Sequence, residues 1–192
     1  MVELSLNIAA NLNEDSVVVQ IGAFDGVSND DFFLNQLTED VLYSKIILIE
    51  PVKEYYEDLI NNVRRENIFF ENIGISDVDG YESFYINGQD TSIVRTSNTE
   101  VRKIKCHKFD YIIDKYQLTE IDFLLIDVEG YEYVILKSIM ENKNILIKNI
   151  RYEFWHLTDE DKENLDSLLR YNGYEIYQDD NSYADKLAIK KI

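Results

Sequence analysis

The chain has 192 residues, 45% of them hydrophobic, with 19 Lys+Arg against 37 Asp+Glu and a net charge of −18. That length suits one domain with one sizeable core, and the charge opposes nucleic acid and anionic membranes as partners, because both need a basic face. The single cysteine, Cys106, excludes an internal disulfide and a multi-cysteine zinc site, and no apolar run is long enough to span a membrane.

Residues 1–15 read as an N-terminal helical extension, and "MVELSLNIAANLNEDS" lacks the basic and long apolar regions of a signal peptide, so a cytoplasmic protein is expected. "SVVVQI" is β-branched and continuous, as in a parallel strand buried on both faces. "DDFFLNQLTED" reads as a helix, "KIILIE" as a second buried strand. "VKEYYEDLINNVRRE" has apolar residues at helical spacing, with Pro51 near its start, where a missing N–H costs little. "NIFFENIGI" is predicted as one strand, "DVDG" as a turn, and "YESFYI" as strand-like. "NGQDTSIVRTSNTE" is polar and aperiodic, and is read as a mobile loop. "VRKIKC" and "KFDYIIDKYQ" lead to the strand "IDFLLID"; the helix "YEYVILKSIMEN" and the strand "IKNIRYEFW" follow. Thr158 and Asp161 mark the capped start of another helix, and Gly173 its end. "YEIYQDD" and "KLAIKKI" are two last strands, joined by "NSYA" with no helix between them. The alternation predicts a single α/β domain over 1–192. Its expected form is an α/β sheet with right-handed crossovers and an antiparallel C-terminal hairpin at the sheet edge.

In open α/β sheets ligands bind at the carboxyl ends of the strands. This sequence puts Gly22-Ala23-Phe24-Asp25-Gly26 after the first strand, Glu50 at the end of the second, and Gly74-Ile75-Ser76-Asp77 after the third. Asp127-Val128-Glu129-Gly130 closes the fourth, and Glu153 and His156 lie at the fifth. A pyrophosphate wants helix N–H groups and no nearby acids. Asp25 and Asp30 follow the glycine turn here, and G-x-G-x-x-G is missing. An acidic mouth instead suits a ligand with positive groups and a ribose for Glu50, which favours S-adenosylmethionine over NAD.

"VVVQIGAFDGVSND", "ILIEPVKEYYEDLINN", "ENIGISDVDGYESFYI" and "FDYIIDKYQLTEIDFLLIDVEGYEYVILKSI" resemble, in that order, the FkbM-type S-adenosylmethionine-dependent methyltransferases. "IDVEGYEYVIL" is the most specific segment, matching an Ile-Asp-x-Glu-Gly-x-Glu pattern of that family. The resemblance implies a class I, Rossmann-like three-layer sandwich around a mostly parallel seven-stranded sheet whose last strand is antiparallel, S-adenosyl-L-methionine as cofactor, and O-methylation of a small-molecule or glycan acceptor. Gly22, Ala23 and Gly26 would let the backbone approach the methionine part of the donor. Asp25 and Asp30 would lie near its ammonium, Glu50 with Pro51 at the ribose, Ile75 and Ser76 at the adenine, and Asp127 near the sulfonium. Gln20 belongs to the same pocket, at a place where an acid is more usual.

A hydroxyl acceptor gains from a general base, and Asp127 and Glu129 are the candidates. Glu129 reads equally as an acid stabilised by the helix dipole, the role also expected of Glu132. His156 is either a base, a ligand with Asp127 and Glu153, or a satisfied loop histidine. No His/carboxylate spacing diagnoses a metal, and none is assigned. Ser92 and Arg95 in the polar loop, with His156 and Tyr183, are expected to line the acceptor pocket. Cys106 and Trp155 are read as core. The rival reading is a non-catalytic nucleoside-binding partner subunit. The sequence fixes no oligomeric state.

Overall fold

The computed structural model describes residues 11–28, 45–63, 66–88, 90–94, 100–142, 145–179 and 182–191. The helix expected over "DDFFLNQLTED", and most of the N-terminal extension, lie outside them. The strands are β1 (Val17–Ile21), β2 (Lys45–Ile49), β3 (Ile68–Glu71), β4 (Gly74–Ile75), β5 (Gly80–Ile86), β6 (Glu100–His107), β7 (Glu120–Ile126), β8 (Leu146–Glu153), β9 (Tyr174–Gln178) and β10 (Asp185–Lys190). The helices are α1 (Lys53–Asn62), α2 (Asp110–Tyr116), α3 (Glu132–Glu141) and α4 (Asp159–Tyr171).

Seven strands form the main sheet in the order β3-β2-β1-β7-β8-β10-β9. β10 runs antiparallel to both neighbours, β8 and β9, and the other pairs are parallel. The expected α/β sheet with an antiparallel C-terminal hairpin is therefore the fold. Successive residues of the central strands enter opposite layers. Val19, Ile21, Ile47, Ile49, Leu124 and Ile126 pack with Ile135, Leu136 and Leu165 of the helices on one face. Val18, Ile46, Leu48, Phe123 and Leu125 pack with Leu59 of α1 on the other. Burial on both faces is why these strands are continuously apolar rather than alternating. The chain steps one way from β1 to β2 and β3, and later the other way from β7 to β8. That reversal opens a crevice at the carboxyl ends of β1 and β7.

Two readings change, and one stretch read only as a lead-in to a strand gains a helix. "NIFFENIGI" is two strands in different sheets. Pairing of β3 with β2 ends at Glu71, where Asn72 Nδ2 donates instead to the carbonyls of Glu50 and Pro51, at 2.9 and 3.1 Å. β4 then joins a small second sheet, β4-β6-β5, in which β5 and β6 are antiparallel. "KFDYIIDKYQ" contains α2, which buries Ile112 and Ile113 and stops at Gln117 in a left-handed conformation. Trp155 is not core: it is 57% exposed, beyond the end of β8. Cys106 is buried as expected, and burial pushes its thiol up to about 11. Thr158 caps α4 through its hydroxyl, which accepts the Asp161 N–H at 3.1 Å.

Candidate functional site

The glycine turn after β1 is fixed from both sides. The N–H groups of Gly22 and Ala23 donate to the Ile49 carbonyl at 3.0 and 3.1 Å, so the chain is tied to the end of β2. A Cβ on Gly22 would lie 1.8 Å from the Asp127 carbonyl oxygen, and its φ is +83°. Only glycine combines that conformation with that approach. Glu50 locks the rim. It is 4% exposed, and its two carboxylate oxygens accept the N–H of Phe24 at 3.0 Å and of Val52 at 2.8 Å. Burial raises its pKa to about 7, against the pull of those two N–H groups. Each oxygen keeps a second lone pair for a ligand hydroxyl.

Asp25 serves its own turn. Its carboxylate accepts from the Ser28 hydroxyl and from the N–H groups of Ser28 and Val27, at 2.8 and 3.1 Å. Burial pushes the Asp25 carboxyl up, but hydrogen bonds from Ser28 and Val27 together outweigh it and hold it below the usual range. Gln20 is buried within β1, between Leu48 and Leu125 of the flanking strands. Gly26 donates its N–H to the Ala23 carbonyl at 3.1 Å. Ile75 sits in the core, and buried Ser76 directs its hydroxyl to Asp77 at 3.3 Å. Asp30 and Arg95 lie outside the described residues.

The second half of the site is the turn after β7. Asp127 continues the ladder through its N–H to the Ile21 carbonyl at 3.0 Å, and its side chain is exposed. Glu129 and Gly130 are both left-handed, with φ +60° and +101°. Two side chains hold this strained pair. Fully buried Glu132 accepts the N–H of Val128 at 2.9 Å and of Gly130 at 3.0 Å. Ser92 is also buried, and its hydroxyl faces the carbonyls of Val128 and Glu129 at 3.1 and 2.8 Å. Ser92 pairs with Tyr85 across an isolated bridge, so this part of the polar segment is fastened to the site rather than free. Position and pattern gave no hint of that; it depends on a backbone 36 residues away.

At the end of β8, His156 Nδ1 lies 2.9 Å from Glu153 Oε1 and 2.5 Å from Glu129 Oε2. The shorter approach lacks hydrogen-bond alignment, since Glu129 Oε2 has no hydrogen-bond partner among the described residues; nor has Glu153 Oε2. Burial and then the Glu153 charge push the Glu129 carboxyl up, while His156 opposes them. Burial and then Asp127 do the same to Glu153. Burial holds the imidazole down, but Glu153 and Glu129 together raise it above its ordinary value. The ring of exposed Trp155 meets that of exposed Tyr183 edge-on, with centroids 5.4 Å apart.

The chain belongs to the methyltransferase FkbM domain family, whose model matches residues 20–176. S-adenosyl-L-methionine is therefore its cofactor, and methyl transfer the family's reaction class. The residues fit that cofactor: the Gly22 cradle is closed to any side chain, and Glu50 offers a buried acceptor at its rim. Solved structures agree on the fold. A methyltransferase FkbM from Methylobacillus flagellatus KT is 18% identical with a TM-score of 0.56, covering 93% of this chain. This chain spans only 44% of that protein's length. The tRNA (m1A58) methyltransferase TrmI from Aquifex aeolicus is 15% identical, with a TM-score of 0.52, and the alignment covers 98% of this chain and 68% of that one. M. capricolum TrmK, solved with S-adenosyl-homocysteine, is 16% identical, with a TM-score of 0.51 and coverage of 98% and 67%. A search of curated protein sequences finds no match.

Proposed function

We propose that this protein transfers a methyl group from S-adenosyl-L-methionine to a hydroxyl of a small molecule or glycan. The observation that carries the reading is the glycine turn wedged between the ends of β2 and β7, with the buried Glu50 carboxylate at its rim. Gly22, Ala23 and Gly26 present backbone to the donor, and Asp25 and Asp30 supply negative charge for its ammonium. Glu50, beside Pro51, accepts the ribose hydroxyls, while Ile75 and Ser76 bound the adenine side. When bound, the cofactor supplies a carbon already activated by its sulfonium. What the chain adds is alignment and a proton acceptor. Asp127, an exposed carboxylate at the end of β7, takes the proton of the acceptor hydroxyl. Glu129, the other candidate base, is half-buried beside His156, with its Oε2 2.5 Å from the imidazole Nδ1.

The exposed Trp155–Tyr183 pair is a platform for a sugar or ring to stack on. A net charge of −18 opposes a tRNA acceptor of the kind named for the Aquifex aeolicus neighbour. Calorimetry with S-adenosylhomocysteine tests the donor site. Binding of one ligand per chain is expected, and no heat from folded protein at millimolar ligand overturns the reading. Binding without methylation of any hydroxyl acceptor would instead mark a nucleoside-binding subunit.

A further inference from the structure

We propose that Glu129, Glu153 and His156 form a divalent-cation site at the ends of β7 and β8, one strand over from the glycine turn. Their ligand atoms all lie within 4.8 Å of one another. The spacing in sequence is not that of a metal motif, because the three come from two turns that only the sheet brings together. The decisive feature is Glu153. Its side chain is 9% exposed, and its Oε2 has no hydrogen-bond partner among the described residues. The Oε2 of Glu129 is likewise without one. A single imidazole N–H cannot satisfy two carboxylates, and it aligns with neither orphan oxygen. A buried carboxylate oxygen left without a partner is costly, and a cation satisfies both at once.

The surroundings favour this further. Glu153 also lies within 4.8 Å of Asp127 and Glu132, so further carboxyl oxygens crowd the same corner. The site is held ready: Ser92 and Glu132 fix the left-handed turn that presents Glu129. Two carboxylates are hard donors and the imidazole a borderline one, a mixed O/N set suited to Mn2+ more than to a soft thiophilic ion. His156 is partly exposed, which leaves an open side for water or an acceptor oxygen. That the ion orients an acceptor hydroxyl rests on the methyl-transfer reading; its binding does not.

The test is titration of the full chain with Mn2+, without donor, following loss of the free-ion electron paramagnetic resonance signal. Wild type should take up one Mn2+ per chain, and Glu153→Gln and Glu129→Gln should each raise the dissociation constant at least about tenfold. Circular dichroism checks that both variants are folded. If Glu153→Gln fails to fold, His156→Ala, at a half-exposed position, should show the same weakening. Exposed Glu175→Gln should bind like wild type. Absence of Mn2+ uptake by folded wild type at millimolar ion, or undiminished uptake in the Glu153 and Glu129 variants, overturns the site. Calorimetry with S-adenosylhomocysteine on the same samples judges the donor reading separately, and its failure leaves an observed Mn2+ site standing.

Discussion

Glu50 shows how a ligand-binding acid taxes the fold that carries it. Its ordinary value is 4.5, and burial lifts it to about 7. Between those two values the folded chain keeps a proton that the unfolded chain has released. Stability therefore falls as pH rises through this window, by about 3 kcal/mol in all, and the loss is complete above pH 7. Urea unfolding of wild type and Glu50→Gln at pH 5 and pH 8 checks this. Wild type should lose more stability across the interval, and parallel losses would show that the carboxyl is not the group responsible. The donor works in the opposite direction, because ribose hydroxyls donate to the ionised form. Affinity for S-adenosylhomocysteine should rise roughly tenfold from pH 6 to pH 8, as the ionised fraction does. Glu50→Ala should lose at least about tenfold at pH 8, since a charged hydrogen bond contributes about 1.5–3 kcal/mol. An unchanged dissociation constant would place the ribose elsewhere.

Two elements decide whether the site exists at all: the turn after β1 and the turn after β7. They touch at Gly22, so a methyl group there meets the Asp127 carbonyl and must push β1 and β7 apart. Gly22→Ala should cost at least about 2 kcal/mol, from left-handed strain plus the clash, and should abolish donor binding. Gly88 is the control, since it has φ +62° but nothing within 4 Å of the added Cβ. Gly88→Ala should cost about 1 kcal/mol, the conformational term alone. Equal thermal shifts for the two variants would deny the wedge. The turn after β7 depends on Ser92. Ser92→Ala leaves two carbonyls without their hydroxyl and frees the Glu129–Gly130 pair, for about 1 kcal/mol of stability. Amide exchange around 128–130 should speed up, with donor affinity nearly intact and turnover reduced. Wild-type exchange there would mean that Glu132 alone holds the turn.

For the whole molecule the dominant fact is charge. At −18 the chain repels itself, and salt at physiological strength screens such repulsion beyond about 8 Å. The melting temperature should therefore rise between low salt and 0.15 M NaCl. A fall would mean that ion pairs such as Arg151 with Asp179 and Asp185 outweigh the general repulsion. The same charge predicts no retention of tRNA in filter binding at low salt, where electrostatic attraction is strongest. Among the described residues, no helix is long and apolar enough to cross a membrane.

The core strands were legible because burial on both faces leaves an unbroken apolar run, and "SVVVQI", "KIILIE" and "IDFLLID" are such runs. The capped start of α4 and the C-terminal hairpin were legible because caps and short turns are local. So were the positions of the glycine turn, Glu50 and Asp127, each set by where its own strand stops. What stayed hidden was set by distant partners. The split of "NIFFENIGI" follows from Asn72 bonding to the Glu50 and Pro51 carbonyls. The exposure of Trp155 and the burial of Ser92 follow from which turn each meets. The approach of Glu129 and Glu153 to one imidazole follows from β7 and β8 lying side by side. Side-chain pattern along a chain records which residues leave water. It does not record which turns share a crevice, because that depends on strand order, and strand order is decided by packing across the whole sheet.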